Sequence, residues 1–289
     1  MKPPPFEYVA ATSAADVVEA LRRYGDEAKV LAGGQSLIPM LALRLARPSA
    51  LVDINRCGDL EGLAESDGTL TVGALVRQRD LERWATARSP LLAEALRWVA
   101  HAPIRNRGTV VGNLVHADPA SELPALLLCL DGAVMARRKG GERSIPADKL
   151  YMAPLTTSLE SDEVATAARF TLPPAGAGWG FAEVARRHGD FALVGCAAVL
   201  ALDGAGAVSH ARLGFFGVGP TPVRSAPGEA ALAGRTPTPE RLAEAAKAAA
   251  ATLSPAADIH ASAEYRRKVA AVLCERVLAA AVTRCGGAR

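Results

Sequence analysis

Two short segments of the chain combine glycines with small polar residues, which are residue types that can hold a phosphate. Residues 31–37 read LAGGQSL, and residues 105–113 read RNRGTVVGN. Glycine adopts positive φ and lets a ligand approach the backbone, so main-chain N–H groups can face an anion. Ser36 could also cap a following helix. The first segment therefore predicts a phosphate-binding loop, although an ordinary strand-to-helix turn is the commoner origin of a Gly-Gly step taken alone.

Sequence motifs typical of catalytic sites are absent. The chain contains no G-x-S-x-G, no G-x-x-x-x-G-K-[ST] and no G-x-G-x-x-G segment. Its five cysteines are scattered without a C-x-x-C pair, and its five histidines show no H-E-x-x-H spacing. This pattern predicts reduced thiols and no protein-bound metal. Any chemistry must therefore come from a bound cofactor.

The composition is that of a globular protein. The chain has 289 residues, of which 50% are hydrophobic and 22% charged, and its net charge of +3 is spread along the whole length. This balance gives no sign of a nucleic-acid partner. No apolar run is long enough to span a bilayer, and the amino terminus lacks the apolar core of a signal peptide. A cytoplasmic location is expected.

Hydrophobic periodicity predicts the elements that position the two glycine segments. A helix after Ser13, a strand at 29–32, a helix at 37–44 and a strand at 51–54 form a small β-α-β unit. The next region is predicted to be a larger α+β unit. Its expected elements are a hairpin around 66–68, helices at 79–87, 91–99 and 123–130, an extended segment from Pro103 to the second glycine loop, and a second hairpin at 133–145.

The run PPAGAG at residues 173–178 can continue neither a helix nor a strand, and it predicts a domain boundary. The expected domains are residues 1–175, divided into subdomains 1–55 and 56–175, and residues 176–289. Three strand-like runs followed by two helices predict that the second domain is a small α+β domain. It is expected to hold a three-stranded antiparallel sheet with helices on one face, so the fold class is α+β.

The glycine segments and their surroundings resemble a known family. LAGGQSL at 31–37 and IRNRGTVVGNLVHADPASELP at 104–124 are similar to the FAD-binding medium subunit of the molybdenum hydroxylases, the carbon monoxide dehydrogenase and xanthine dehydrogenase group. ARRHGDFALVG at 185–195 and AEYRR at 263–267 resemble the carboxy-terminal domain of the same subunits. The likeness covers essentially the whole chain, and it implies a two-part, PCMH-like FAD-binding domain followed by a flavin-subunit domain.

The resemblance implies an electron-transfer subunit that binds FAD without covalent attachment. It would pass electrons from iron–sulfur clusters to FAD and on to an external acceptor. The implied partners are a small subunit with [2Fe–2S] clusters and a large subunit with the molybdenum cofactor, in a heterotrimer. The substrate and the acceptor are not indicated. Two alternatives stay open, a free-standing FAD-dependent oxidoreductase and a non-catalytic assembly subunit with a decayed flavin site.

Carried over position by position, the resemblance assigns a set of residues to the cofactor and none to catalysis or metal binding. Residues 32–36 would wrap the pyrophosphate, and residues 109–113 would form the opposing clasp. Glu122 would accept a hydrogen bond from a cofactor hydroxyl, and Phe191 would lie near the flavin ring. The expected set is Leu31, Ala32, Gly33, Gly34, Gln35, Ser36, Leu37, Ala100, His101, Thr109, Gly112, Asn113, Asp118, Glu122, Val164 and Phe191.

Three residues depart from the family pattern. Glu122 stands where relatives usually carry Asp, Phe191 where they often carry Tyr, and Val111 where many have a second glycine. A β-branched residue cannot adopt positive φ cheaply. Val111 therefore predicts a locally different geometry in the second segment if that position needs the glycine conformation.

Overall fold

The computed structural model describes residues 2–286. Its first unit is a parallel sheet of three strands in the order β1-β3-β2. The sequence predicts this β-α-β unit except for β1, because a four-residue strand directly after the prolines carries no periodic pattern. The elements are β1 (Glu7–Ala10), α1 (Ala14–Tyr24), β2 (Ala28–Leu31), α2 (Leu37–Ala42) and β3 (Ala50–Asp53).

The second unit is a five-stranded antiparallel sheet in the order β4-β5-β10-β6-β7, accompanied by helices and by a small two-stranded sheet, β8-β9. Its elements are β4 (Leu63–Ser66), β5 (Thr69–Gly73), α3 (Gln78–Arg88), α4 (Pro90–Trp98), α5 (Ala102–Arg105), α6 (Val110–His116), α7 (Glu122–Cys129), β6 (Ala133–Arg138), β7 (Gly141–Pro146), α8 (Ala147–Leu150), β8 (Tyr151–Ala153), β9 (Thr156–Thr157) and β10 (Val164–Thr171).

Two predictions for this unit are wrong. The segment around Pro103 is expected to be extended, but it forms the short helix α5, in which the proline occupies the first turn, where no N–H is needed. Residues 109–113 are expected to form a loop, but they begin helix α6. The apolar residues Val110, Val111 and Leu114 lie on the buried side of that helix, and this spacing outweighs the loop tendency of Gly112.

The third unit is an antiparallel sheet in the order β11-β12-β13-β14 with three helices. The prediction of three strands is wrong by one, since β14 is only two residues long and carries no alternation of its own. It pairs with Gly214 and Phe215 of β13. The elements are β11 (Gly178–Ala185), β12 (Ala192–Leu202), β13 (Val208–Phe216), β14 (Val223–Arg224), α9 (Ala226–Leu232), α10 (Pro239–Ala251) and α11 (Ala263–Arg284).

The third sheet is covered on both faces. Side chains alternate along a strand, and in β12 Cys196 and Ala198 belong to the apolar cluster that contains α10 and α11. Ala197 and Val199 belong to the large cluster of the first two units. This arrangement brings the turn between β11 and β12 next to those units. Within residues 2–286, no helix is both long and apolar enough to cross a membrane.

Candidate functional site

A cavity of about 850 Å³ lies where the three units meet. Its walls are the end of β2, residues 32–37, helix α6, residues 155–165 and the turn between β11 and β12. Cofactor and ligand sites typically enclose ~300–1,000 Å³. The cavity is therefore large enough for a dinucleotide.

Most of the residues that the sequence assigns to a cofactor line this cavity. Leu31 and His101 do not: Leu31 lies between the lining residues Val30 and Ala32 without lining the cavity itself, and the His101 ring packs against Gly189, where an added Cβ would lie 2.6 Å from Nδ1. The predicted residues in the wall are Ala32, Gly33, Gly34, Gln35, Ser36, Leu37, Ala100, Thr109, Gly112, Asn113, Asp118, Glu122, Val164 and Phe191.

The first glycine segment presents backbone donors to the cavity. The N–H groups of residues 33–37 have no hydrogen-bond acceptor within the described residues 2–286. Gly34 has φ of 73°, a conformation that side-chain-bearing residues rarely adopt. The predicted cap by Ser36 is wrong, because Ser36 already has helical angles and its hydroxyl makes no capping bond. Five adjacent N–H groups are thus available to an anion.

The two glycine segments touch each other through Gly33. A Cβ added to Gly33 would overlap the carbonyl oxygen of Arg107 and lie 2.8 Å from Gly108 Cα and 3.0 Å from Thr109 N. All three of these atoms belong to the backbone, which cannot rotate away as a flexible side chain does. Only glycine allows this approach.

The second segment is shaped by Thr109, which caps α6. The Thr109 side chain accepts a hydrogen bond from Gly112 N at 3.1 Å, and a Cβ added to Gly112 would lie 2.5 Å from Thr109 Oγ1. Val111 is buried and helical and has no positive φ, so this position does not adopt the glycine conformation. Ser121 Oγ donates to Asn113 Oδ1 at 2.9 Å, which fixes the Asn113 side chain in the cavity wall.

Two buried carboxyl groups lie at or near the cavity. Glu122 is 6% exposed and lines the wall, and burial raises its pKa to about 7. Glu183, on β11, is 8% exposed, and neither of its carboxyl oxygens has a hydrogen-bond partner within residues 2–286. Burial, followed by the charge of Glu122, raises the pKa of Glu183 to about 8. Glu183 is therefore mainly a neutral acid at pH 7.

Glu183→Gln is expected to stabilise the protein at alkaline pH. The pKa of Glu183 lies above its ordinary value of 4.5, so the folded state keeps a proton that the unfolded state loses. Stability then falls as the pH rises from about 4.5 to about 8. Thermal unfolding should show a Tm gain of several degrees at pH 8.5 and a clearly smaller gain at pH 5.5. Glu65→Gln, at an exposed position, is the control. An equal Tm gain of Glu183→Gln at both pH values would contradict a raised pKa of Glu183.

Sequence reasoning missed two residues of this region, Gln78 and Glu183. Gln78 is buried, lines the cavity, and has no partner for its Oε1 within residues 2–286. Its signal in the sequence is its position three residues before Leu81, on the buried face of α3. Glu183 could have been found by alternation, since it lies two residues after Phe181 on the same inward face of β11.

The free backbone donors and the Gly33 contact give this cavity the features of a site for a phosphate-bearing cofactor. Residues 4–173 match the family described as FAD binding domain in molybdopterin dehydrogenase. Residues 179–281 match the CO dehydrogenase flavoprotein C-terminal domain. The chain belongs to this family of flavoprotein subunits, which confirms the resemblance seen in the sequence.

Individual relatives match over nearly the entire chain. The 6-hydroxypseudooxynicotine dehydrogenase complex subunit alpha of Paenarthrobacter nicotinovorans is 43% identical over 286 residues, 98% of this chain and 97% of the relative. The carbon monoxide dehydrogenase medium chain of Hydrogenophaga pseudoflava is 39% identical over 287 residues, 99% and 100% of the two chains. A structure of carbon monoxide dehydrogenase from Hydrogenophaga pseudoflava, lacking the Mo-pyranopterin moiety, superposes with a TM-score of 0.96 at 40% identity, covering 99% of this chain and 100% of that one.

Proposed function

We propose that this chain is the FAD-carrying electron-transfer subunit of a multi-subunit molybdenum hydroxylase. It receives electrons from the iron–sulfur clusters of a small subunit, the large subunit holds the molybdenum cofactor, and an external acceptor takes the electrons from the flavin. The observation that carries the proposal is the row of free N–H groups at residues 33–37, held against Arg107 and Gly108 in a cavity of dinucleotide size. Relatives that match the full chain are subunits of dehydrogenase complexes.

The residues present fit FAD, although the cavity is not basic. Lys29 is the single lysine or arginine in its wall within residues 2–286, whereas Asp118, Glu122 and several other acids also line it. The charge of a pyrophosphate must therefore be balanced mainly by backbone N–H groups, which residues 33–37 supply. When bound, FAD supplies the redox chemistry, because it takes up electrons singly and releases one or two.

The remaining side chains have positioning roles in this proposal. Thr109, Gly112 and Asn113 hold the opposite side of the cofactor, and Glu122 accepts a hydrogen bond from a cofactor hydroxyl when ionised. Phe191, which is 69% exposed at the edge of the cavity, covers the flavin ring. We further propose that residues 1–175 and 176–289 are separate domains, and that the subunit works in the cytoplasm with its cysteines reduced.

The purified chain is expected to bind one equivalent of FAD and to show the visible absorption bands of a flavin. FMN lacks the pyrophosphate and should bind at least about 100-fold more weakly, because the loop N–H groups then have only one phosphate to contact. Fluorescence titration with both flavins measures this. A chain that shows no flavin bands after addition of FAD and removal of the unbound flavin by gel filtration would contradict the proposal. Reduction of the bound flavin by a small substrate without partner subunits would favour a free-standing oxidoreductase.

A further inference from the structure

Two polar side chains, Asn55 and Arg77, lie behind the glycine segments and outside the cofactor cavity. Both are half-buried. Neither lines the large cavity; they line a separate one of about 320 Å³ that shares no lining residue with it. They can therefore act on a ligand in the large cavity only through the residues to which they donate hydrogen bonds.

Asn55 holds the first glycine segment from behind. Its Nδ2 donates to the carbonyl oxygen of Ala32 at 2.8 Å and to Asp53 Oδ1 at 2.7 Å. A trans peptide is planar, with its C=O and N–H pointing in opposite directions. The bond from Asn55 to Ala32 O therefore turns the N–H of Gly33 away from Asn55. Asn55 in this way sets the direction of the first free donor of the loop.

Arg77 links that arrangement to the second segment. Its Nη2 donates to Asn55 Oδ1 at 2.7 Å, and its Nη1 donates to the carbonyl oxygen of Arg107 at 2.7 Å. The Arg107 carbonyl is also the group that Gly33 approaches most closely. One planar guanidinium thus connects both segments beside their point of contact, a geometry that a lysine ammonium cannot reproduce.

The backbone on either side of Arg77 strengthens this link. Gln78 N donates to Gly108 O at 2.8 Å, and Val110 N donates to Val76 O at 3.0 Å. The second segment is therefore paired with the residues that flank Arg77. The Arg77 side chain and the neighbouring main chain both hold this segment in place.

We infer that Asn55 and Arg77 form a clamp that positions both glycine segments for the pyrophosphate of the cofactor. This inference rests on the proposed function. Neither residue touches the cofactor; each is a positioning residue that fixes the spacing and direction of the donors. Asn55→Asp removes only one of the two hydrogen bonds of Asn55. The carboxylate still accepts from Arg77 but can no longer donate to Ala32 O. Arg77→Gln removes the connection to Arg107.

The test compares the affinities of the full chain for FAD, ADP and riboflavin. ADP carries the pyrophosphate without the flavin, and riboflavin carries the flavin without a phosphate. Asn55→Asp and Arg77→Gln should weaken FAD and ADP binding by the same factor, about 10- to 100-fold, and leave riboflavin binding unchanged. Arg77→Lys should not restore affinity. Arg284→Gln is the matched control, because Arg284 Nη1 also donates to a backbone carbonyl at 2.7 Å, that of Trp179, and neither residue lines the cavity.

The possible outcomes separate the clamp from the proposed function. Wild-type affinity for FAD and ADP in both clamp variants would overturn the clamp and leave the proposed function intact. A loss of riboflavin affinity equal to the loss of FAD affinity would also overturn the clamp, because such a loss would indicate collapse of the whole cavity. A wild-type chain that binds neither FAD nor ADP would overturn the proposed function and the clamp with it. Near-UV circular dichroism identifies any variant that fails to fold. If one clamp variant fails to fold, the affinities of the other variant test the clamp.

Discussion

Gly33→Ala is expected to lower the affinity for FAD by at least about 100-fold. The added methyl group would overlap the carbonyl oxygen of Arg107 and lie 2.8 Å from Gly108 Cα. Both neighbours are backbone atoms of residues that accept hydrogen bonds, Arg107 O from Arg77 and Gly108 O from Gln78 N, so the two segments must separate to admit the methyl group. The free N–H groups of residues 33–37 would then lose their spacing relative to Thr109. Fluorescence titration with FAD and with ADP measures the loss.

Gly58→Ala is the matched control for this substitution. Gly58 lies in the same region of the chain, and a Cβ there would meet nothing within 4 Å. The Gly58→Ala variant should bind FAD with the affinity of the wild type. Gly33→Ala should keep the near-UV circular dichroism of the sheet β11-β12-β13-β14, because the apolar cluster that packs this sheet on α10 and α11 includes no residue of the first unit. Unchanged FAD affinity in Gly33→Ala would show that the two segments need not touch to hold the cofactor.

Long periodic elements of this fold can be predicted from the sequence, whereas several of the short ones cannot. Helix α11 (Ala263–Arg284) is one of the two helices that the sequence predicts for the second domain, because its apolar residues repeat over several turns. Strand β14 has two residues and exists because β13 offers it a partner at Gly214 and Phe215. Helix α5 similarly depends on contacts that no local pattern encodes. The elements that the sequence misses are short ones that tertiary contacts stabilise.

The residues of the candidate site also fall into those that the sequence indicates and those that only the folded structure brings together. The glycines and small polar residues at 32–36 indicate a phosphate loop because their conformational freedom is a local property. The contact between Gly33 and Arg107, and the bridge from Asn55 through Arg77, join segments far apart in the chain. Without pairing information, Arg77 is one charged residue among many. The sequence therefore indicates the donors of the site but not the residues that position them.

Gly180→Ala is expected to lower the stability of the protein more than any of the substitutions described above. In the structure the backbone of α11 lies directly on β11: a Cβ on Gly180 would overlap the carbonyl oxygen of Val277 and lie 2.7 Å from its Cα. Gly178, two residues earlier on the same face, meets Ala281 one helical turn later in the same way, with its added Cβ 2.8 Å from the Ala281 carbonyl carbon. A methyl group at 180 must push the helix off the strand along several apolar contacts.

The expected loss is about 3 kcal/mol in the free energy of unfolding, because a well-packed interface cannot take up added volume against backbone. Thermal unfolding should show a Tm lower by about 10 °C or more. Gly204→Ala, in the turn before β13, is the control, since a Cβ there would meet nothing within 4 Å. The opposite face of β11 carries Phe181 and Glu183 toward the cavity region, so a displaced strand should also weaken FAD binding. A Gly180→Ala variant with the Tm of the wild type would show that α11 can move away from β11 without cost.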